Sequence, residues 1–173
     1  MPPRDRILTP SMRTAILTVS TSVAAGQTED RSGAALADHA QAAGAEIVAR
    51  EVIADDREAI ECWLREQVDA GADLIFTTGG TGLTNDDITP EATLAVIDRH
   101  APGFAEAMRA ESVRHTPMGI LTRGVSGIAG RTLIVNFPGN PKAIGELFPV
   151  IAPTLEHAVA TLRREGGRRT PGH

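Results

Sequence analysis

The segment DLIFTTGGTGLTNDDITPEAT contains the residue types and spacing that most clearly indicate chemistry. Gly79, Gly80 and Gly82 fall within four residues, beside the hydroxyl side chains of Thr78 and Thr81. Such a loop can present backbone N–H groups to a phosphate, and a tight turn alone needs fewer glycines. No Gly-Lys-Ser or Gly-Lys-Thr follows, and no Gly-x-Gly-x-x-Gly follows the first predicted strand, so neither common nucleotide motif fits. We interpret this loop as a phosphate cradle, with a plain turn as the alternative.

Two carboxylates are candidates for a metal site beside that loop. Asp87 stands next to Asp86 within the same segment, and Asp55 follows the second predicted strand. Adjacent parallel strands would bring Asp55 and Asp87 to the same edge of a sheet. Mg²⁺ accepts one or two carboxylates while phosphate oxygens fill its other positions, which would explain acids beside a phosphate. The alternatives are structural, because Asp55 and Glu58 have capping-box spacing and an Asp pair is typical of a turn.

A second loop, VNFPGNPKAI, has the same design as the first. In each, a buried strand leads through a glycine-containing turn to a helix start. Thr89 and Asn140 are the predicted N-caps, and Pro90 and Pro141 are predicted at the first helical positions. Helix N-termini of this kind attract anions, so we expect both loops to face one crevice at the carboxyl ends of the strands.

The elements that must position these residues alternate along the chain. Apolar runs predict strands at 13–20, 46–53, 73–78 and 131–137, and helical periodicity predicts helices at 30–44, 55–71, 89–100, 102–115 and from 140 onward. Gly44 is expected to end the first helix, and Pro149 and Pro153 to break or bend the last. The glycine-rich stretch 118–132 is interpreted as a hairpin or loop packed beside the site. The order predicts an α/β fold, a three-layer α/β/α sandwich with a mainly parallel sheet.

Composition narrows the classes of function. The 173 residues carry a formal net charge of −5, no tyrosine and scattered arginines, which disfavours nucleic acid as a partner. Cys62 is the single cysteine, so an intrachain disulfide is excluded, and we expect a small core residue on a helix. No apolar run approaches ~18 residues, so no membrane partner and a cytoplasmic location are expected. We expect an N-terminal arm at 1–12, one domain at 13–164 and a C-terminal tail at 165–173.

Several charged side chains lack any metal-ligand spacing and are interpreted as residues of helix surfaces. They are His39, His100, His115, His157, Arg109 and Arg114. Arg123, in the glycine-rich stretch, is the arginine we regard as a candidate for a phosphate contact.

Three strings together resemble the MogA/MoaB family of molybdenum cofactor biosynthesis proteins: TTGGTGLTNDDITPEAT, TVSTSVAAGQTEDRSG and NFPGNPKA. The resemblance runs from about Arg13 to about Arg164. It implies a molybdopterin adenylyltransferase, which transfers AMP from MgATP to the terminal phosphate of molybdopterin and releases pyrophosphate. It also implies a three-layer molybdopterin-binding fold, a homotrimer, and a partner protein that inserts molybdate.

The resemblance assigns roles to individual residues. Asp55 and Asp87 correspond to the family's catalytic aspartates, and we expect them to act as Mg²⁺ ligands, because a phosphate nucleophile is already ionised and needs no base. The residues that would bind nucleotide or pterin phosphates are Ser32, Gly33, Thr78, Gly79, Gly80, Thr81, Gly82, Pro138, Gly139, Asn140 and Lys142.

Two departures from the family pattern keep other functions open. Asn85 and Asp86 stand where the family often has Pro-Arg or Pro-Thr, so an acid replaces a base beside the phosphate site. Thr21 stands where many members have an aspartate. An inactive pterin-binding paralogue that serves as a carrier or assembly partner is the main alternative. A hydrolase that uses the same fold, as in CinA-like proteins, is a second alternative to the adenylyltransferase.

Overall fold

A six-stranded sheet forms the centre of the protein, as seen in a computed structural model that describes residues 10–164. The strands are β1 (Met12–Val19), β2 (Ala45–Ile53), β3 (Leu74–Thr78), β4 (Arg99–His100), β5 (Ser126–Ala129) and β6 (Thr132–Phe137). Their order is β2-β1-β3-β6-β5-β4. The first four strands in this order run parallel, and β5 and β4 add antiparallel at one edge. The predicted, mainly parallel sheet is confirmed.

Helices cover both faces of the sheet. They are α1 (Thr21–Ala24), α2 (Arg31–Ala42), α3 (Arg57–Asp69), α4 (Thr89–Val96), α5 (Gly103–His115) and α6 (Pro141–Arg164), with a 3-10 helix at Pro117–Leu121. Because strand side chains alternate between faces, Ile16 and Phe76 pack against α2 and α6, whereas Leu17 and Ile75 pack against α3 and α4. The predicted three-layer sandwich is confirmed, with a hydrophobic core on each face.

The chain after α4 differs from the prediction. The helix was expected to reach residue 100, but it ends at Val96, and Ile97 has extended backbone angles. Arg99 and His100 instead pair antiparallel with β5, and the Asp98 amide donates to the Ile128 carbonyl at 2.8 Å. Sheet pairing at this edge outweighs the local helical preference, so the assignment of His100 to a helix was wrong.

Helix α6 continues through both of its prolines. Pro149 and Pro153 lie inside one 24-residue helix, so the predicted break does not occur. Both prolines are exposed, whereas a buried apolar stripe extends along the helix from Ile144 to Leu162. Packing of this stripe against the sheet stabilises the helix on both sides of the missing backbone hydrogen bonds.

Cys62 does not belong to the core, contrary to the prediction. It is exposed on α3, whose buried stripe is Ile60, Trp63 and Leu64. Its thiol lies 3.5 Å from the Glu66 carboxylate, and the hydrogen bond and negative charge of Glu66 raise the pKa of the thiol.

The ends of the predicted domain are only partly described. Met12, the last residue of the predicted arm, is buried as the first residue of β1. Residues 1–9 and the predicted tail 165–173 lie outside the described residues. Between residues 10 and 164, none of the helices combines the length and apolar character needed to cross a bilayer.

Candidate active site

The two glycine-containing loops lie side by side at the carboxyl ends of β3 and β6. The Thr78 hydroxyl donates to the Pro138 carbonyl at 2.8 Å, and the Gly79 amide donates to the Phe137 carbonyl at 3.2 Å. A Cβ on Gly139 would lie 3.2 Å from the Gly79 Cα, so glycine permits this close approach. The sheet register therefore brings together the two loops that the sequence identified separately.

The first loop combines a turn that requires glycine with unused amide donors. Gly79 and Gly80 have φ values of +93° and +68°, and a Cβ on Gly79 would overlap the Val19 carbonyl. Turn geometry alone thus accounts for two of the glycines. Within the described residues, no acceptor takes the amide hydrogens of Gly80, Thr81 or Gly82. The loop can therefore present consecutive N–H groups to an anion.

The starts of α4 and α6 differ in how they are capped. Asn140 is the N-cap of α6 as predicted, since its side-chain oxygen accepts from the Lys142 amide at 2.9 Å and Pro141 follows as the first helical residue. Thr89 is not the N-cap of α4, because it is already the first helical residue and Ile88 precedes it, so Pro90 stands at the second helical position and not at the predicted first. The buried Thr89 hydroxyl instead donates to the Gly79 carbonyl at 3.0 Å and holds the glycine turn in place.

Asp87 closes a tight turn beside Gly82. Its Oδ2 accepts from both the amide and the hydroxyl of Thr84, at 3.0 and 2.9 Å, so the turn interpretation holds for this residue. A Cβ on Gly82 would lie 2.7 Å from that same oxygen, so glycine makes room for the carboxylate. Asn85 and Asp86 are exposed at the tip of the turn.

Asp55 is available to a ligand because a different residue caps α3. The alternative role for Asp55, a capping box with Glu58, does not occur: Asp56 is the N-cap, and its Oδ1 accepts from the Ala59 amide at 3.1 Å. Asp55 Oδ2 accepts from the Thr21 hydroxyl at 2.8 Å, and the Asp55 amide donates to the same hydroxyl at 3.2 Å. The sequence departure at Thr21 thus has a structural role that the residues alone did not reveal.

The two aspartates approach from strands that are not neighbours. We expected Asp55 and Asp87 to follow adjacent strands, but β1 lies between β2 and β3. Two strand spacings place the ends of β2 and β3 about 10 Å apart. The residues that separate them belong to the end of β1, where Val19 and Ser20 lie.

The donor set suits a metal ion that a substrate helps to hold. Asp55 and Asp87 each use Oδ2 in the bonds above, and within residues 10–164 Oδ1 of each takes no hydrogen bond. The same residues contain no group of three or more His, Cys, Asp or Glu side chains placed to hold a metal. Each aspartate thus has one carboxylate oxygen left for a cation, and carboxylate, phosphate and water oxygens are the usual ligands of Mg²⁺.

The guanidinium of Arg123 donates hydrogen bonds to backbone carbonyls of the glycine loop and of the turn that follows it. The sequence had suggested only a phosphate contact for this residue. Its Nε donates to the Gly82 carbonyl at 2.7 Å, and Nη2 donates to the Asp87 carbonyl at 2.6 Å. Nη1 pairs with the Glu91 carboxylate. The hydrogen bond from Arg123 holds the pKa of Glu91 below its usual value, and Glu91 raises the pKa of Arg123. The stretch 118–132 therefore packs beside the site as predicted, and its second half forms a hairpin with β6.

Arg109 has a similar supporting role. It was interpreted as a solvated helix residue, but it is only partly exposed and donates to the carbonyls of Thr122 and Gly124, at 3.2 and 2.8 Å. These bonds anchor the segment that carries Arg123.

Two cavities open on either side of the 138–141 turn. A polar cavity of about 400 Å³ lies between the end of β1 and the glycine loops, and it is rich in hydroxyl groups. Its lining includes Ser20, Ser22, Thr28, Ser32, Gly79 and Gly139. An apolar cavity of about 260 Å³ lies between α5 and α6, lined by residues that include Met108, Met118, Asn136, Pro138, Asn140 and Leu147.

Six of the eleven predicted binding residues line neither cavity: Gly33, Thr78, Gly80, Thr81, Gly82 and Lys142. Gly33 is buried in the first turn of α2, where a Cβ would overlap the Asp30 carboxylate and the Thr18 hydroxyl, so packing alone requires glycine there. Lys142 is exposed and lines neither cavity.

Known proteins share both the sequence and the fold. Residues 15–157 match the family described as "Probable molybdopterin binding domain". The molybdopterin adenylyltransferase of Helicobacter pylori J99 is 44% identical over 110 residues, which make up 63% of this chain and 62% of that protein. The enzyme of the same name from Haemophilus influenzae is 51% identical over 96 residues, 55% of this chain and 49% of that protein. The match thus spans between about half and three fifths of these relatives.

A solved structure matches over a greater length. The molybdopterin biosynthesis enzyme MoaB from Thermus thermophilus has 43% sequence identity and a TM-score of 0.82, covering 87% of this chain and 96% of that one. Sequence and fold agree, and the chain belongs to the MogA/MoaB family of molybdopterin-binding domains.

Proposed function

We propose that this protein is a molybdopterin adenylyltransferase of molybdenum cofactor biosynthesis. It transfers AMP from MgATP to the terminal phosphate of molybdopterin and releases pyrophosphate. The observation that carries the proposal is the row of unused amides at Gly80, Thr81 and Gly82 beside Asp87, in a chain whose Helicobacter pylori and Haemophilus influenzae relatives are named molybdopterin adenylyltransferases. Amides bind the anionic oxygens, and the carboxylates accept the cation that accompanies them.

The two cavities suit the two parts of such substrates. The hydroxyl-rich cavity next to Gly79 and Gly139 offers donors to phosphate groups. The cavity beside Pro138 has mainly apolar walls and matches a flat ring with a few polar edges. The 138–141 turn lies between them, so a ligand with a ring at one end and a phosphate at the other can contact both.

The chemistry requires positioning and charge neutralisation more than covalent help. An oxygen of the terminal phosphate of molybdopterin forms a bond to the α-phosphorus of ATP, and the bond from that phosphorus to the bridging oxygen breaks as pyrophosphate leaves. The loop amides hold the phosphate oxygens in line and stabilise charge in the transition state. Asp55 and Asp87 would hold Mg²⁺, which neutralises the anions when bound. Neither aspartate needs to remove a proton, because the attacking phosphate is already ionised.

The decisive experiment measures AMP transfer to purified molybdopterin by the wild-type protein, Asp55→Asn and Asp87→Asn. Each substitution removes the charge but keeps an oxygen that can accept the hydrogen bonds from Thr21 or Thr84. Matched controls are the neighbouring Asp56→Asn, which preserves the cap of α3, and Asp86→Asn at the exposed tip. Metal-dependent product in the wild type and both controls, with loss in the two site variants, would support the proposal.

A different result would indicate the carrier function. Tight molybdopterin binding without any AMP transfer in the wild type, unchanged by either site substitution, would contradict the enzyme. The exposed position of Asp86 supports transfer, since its charge can remain in solvent rather than beside the substrate phosphate.

Assembly, location and partners complete the proposal. The protein acts in the cytoplasm as a homotrimer and delivers its adenylylated product to a protein that inserts molybdate. Support for self-association comes from large apolar side chains that are exposed near the site. They are Leu83, Val113, Met118, Ile120 and Leu121.

A further inference from the structure

We propose that Arg123 is a positioning residue, whose guanidinium closes the loop from Gly82 to Asp87 and thereby fixes the Asp87 carboxylate at the site. This inference rests on the proposed function, because it concerns the placement of a residue that would hold Mg²⁺. It concerns a side chain to which the catalytic assignment gave no part.

The contacts of Arg123 join the two ends of the loop. Nε binds the Gly82 carbonyl, where the loop begins, and Nη2 binds the Asp87 carbonyl, where it ends. The backbone amide of Arg123 also donates to the Thr81 carbonyl at 2.8 Å. The loop between its two ends is exposed from Leu83 to Asp86. A single side chain thus sets the separation of the ends of an otherwise solvent-exposed turn.

The Arg123 guanidinium and the two carbonyls that it binds form a clamp across the loop, and Glu91 anchors this clamp to a helix. Its carboxylate accepts from Nη1 and, at 3.4 Å, from Nη2. Glu91 lies in the first turn of α4, and Thr89, the first residue of the same helix, holds the glycine turn through its hydroxyl. The clamp therefore ties the glycine loop, the Asp87 turn and α4 into one unit.

The same contacts disfavour Arg123 as a phosphate ligand. All three guanidinium nitrogens are engaged, two of them with carbonyl oxygens, so the planar fork faces the protein. The nearby Glu91 carboxylate also offsets the positive charge that a phosphate would need. Geometry, rather than charge, is the contribution of this residue.

The chemistry of the side chain gives a discriminating substitution. Only a planar guanidinium can bind two carbonyls and a carboxylate in fixed directions, whereas lysine supplies the charge at a single point. If Arg123 is a clamp, both Arg123→Lys and Arg123→Gln should lose its contacts with the loop. If Arg123 instead binds phosphate through its charge, Arg123→Lys should keep that contact.

The test combines turnover with a measurement that needs no substrate. Hydrogen exchange of the peptide covering residues 79–91 is followed by mass spectrometry in the free protein, and kcat, the KM for molybdopterin and the Mg²⁺ dependence are measured for each variant. We expect faster exchange, a roughly 10- to 100-fold loss of kcat and a higher Mg²⁺ requirement in both Arg123 variants, with little change in KM. Glu91→Gln, which keeps an acceptor oxygen, should show the same changes to a smaller degree.

Controls come from a second arginine–glutamate pair on the surface. Arg114→Gln and Glu111→Gln disrupt an exposed pair on α5 and should leave exchange and turnover unchanged. Thermal unfolding confirms that each variant is folded before it is compared.

Specific outcomes would overturn the clamp. Activity retained by Arg123→Lys but lost in Arg123→Gln, with unchanged exchange in both, would identify a phosphate-binding cation. Unchanged exchange and turnover in both variants would exclude any role. If the wild type transfers no AMP, the proposed function fails, and exchange alone decides: faster exchange in both variants supports the clamp, and unchanged exchange overturns it.

Discussion

Threonine hydroxyls around the candidate site each hold a group that a ligand would contact or lie beside. Thr21 donates to Asp55 and Thr84 to Asp87, while Thr78 and Thr89 donate to carbonyls of the two glycine loops. Each hydroxyl removes a rotational freedom that the acceptor would otherwise have. At the scale of single residues, the site is preorganised by side chains that need not contact a substrate themselves.

Substitution of Thr21 should test this arrangement most directly. Thr21→Val keeps the shape but removes the donor to Asp55, so we expect a roughly 10-fold loss of turnover and a higher Mg²⁺ requirement. Thr21→Ser retains the hydroxyl and should behave like the wild type. Adenylyl transfer measured against Mg²⁺ concentration provides the readout, and equal curves for Thr21→Val and the wild type would argue that Asp55 needs no such support.

The ion pair of Arg123 and Glu91 should make the free energy of unfolding depend on pH in the acidic range. The pKa of Glu91 is lowered in the folded protein, so its contribution is present above the ordinary glutamate value of about 4.3. The contribution is lost as pH falls through the lowered, folded-state pKa. Urea midpoints of wild type and Glu91→Gln should therefore differ at pH 7, and the difference should shrink as pH falls below about 4.3 and vanish only below the lowered pKa of Glu91. A constant difference across this range would show that the charge of Glu91 does not contribute.

Between elements, the clearest polar connection is made by Asn136 on β6. Its side-chain amide donates to Thr77 on β3 and Thr93 on α4, at 2.9 and 3.0 Å, and its oxygen accepts from the Val125 amide at 3.1 Å. Asn136 is 2% exposed, so these protein partners satisfy a side chain that is almost wholly buried. It thereby joins the strand, the helix and the segment that surround the glycine loop.

Asn136→Leu should lower the free energy of unfolding by about 3 kcal/mol, because it leaves several buried polar groups unpaired. Asn85→Leu at the exposed tip is the matched control, with an expected change within about 0.5 kcal/mol. Urea unfolding monitored by circular dichroism measures both variants. A loss below about 1 kcal/mol in Asn136→Leu would indicate that the surroundings rearrange to satisfy those groups.

The sequence predicted helices and strands correctly where buried apolar residues recur regularly along the chain. The strand ends of β1, β2, β3 and β6 agree with the apolar runs to within one residue. The strands β4 and β5 were less accessible to sequence reasoning, since Arg99 and His100 are exposed and polar and become a strand only through their partner. The start of α4 was displaced because the Thr89 hydroxyl binds a distant carbonyl instead of the helix terminus.

The order of the strands gives the site its place in the whole molecule. After β1 the chain continues to α2 on one face, and after β3 it continues to α4 on the other, so the connections diverge between two neighbouring strands. The polar cavity lies at this divergence, where ligands of open α/β sheets commonly bind. The sequence could indicate the sheet edge but not the order, since β1 and β3 are separated by an entire strand along the chain.

Exposed apolar side chains near the site lead to a prediction about assembly. Met118, Ile120 and Leu83 are each more than 60% exposed, and exposed large apolar side chains can mark a surface that another chain covers. If copies of the chain cover them, the solution mass should be that of three 18.2 kDa chains.

Ile120→Glu places a charge on this surface and should shift the mass toward a single chain, while circular dichroism stays unchanged because the residue supports no core. Gln41→Glu, at an exposed position on α2, adds the same charge elsewhere and should leave the mass unaltered. Light scattering after size exclusion measures all three proteins. A monomeric wild type, or a trimer that tolerates Ile120→Glu, would mean that these side chains do not mediate self-association.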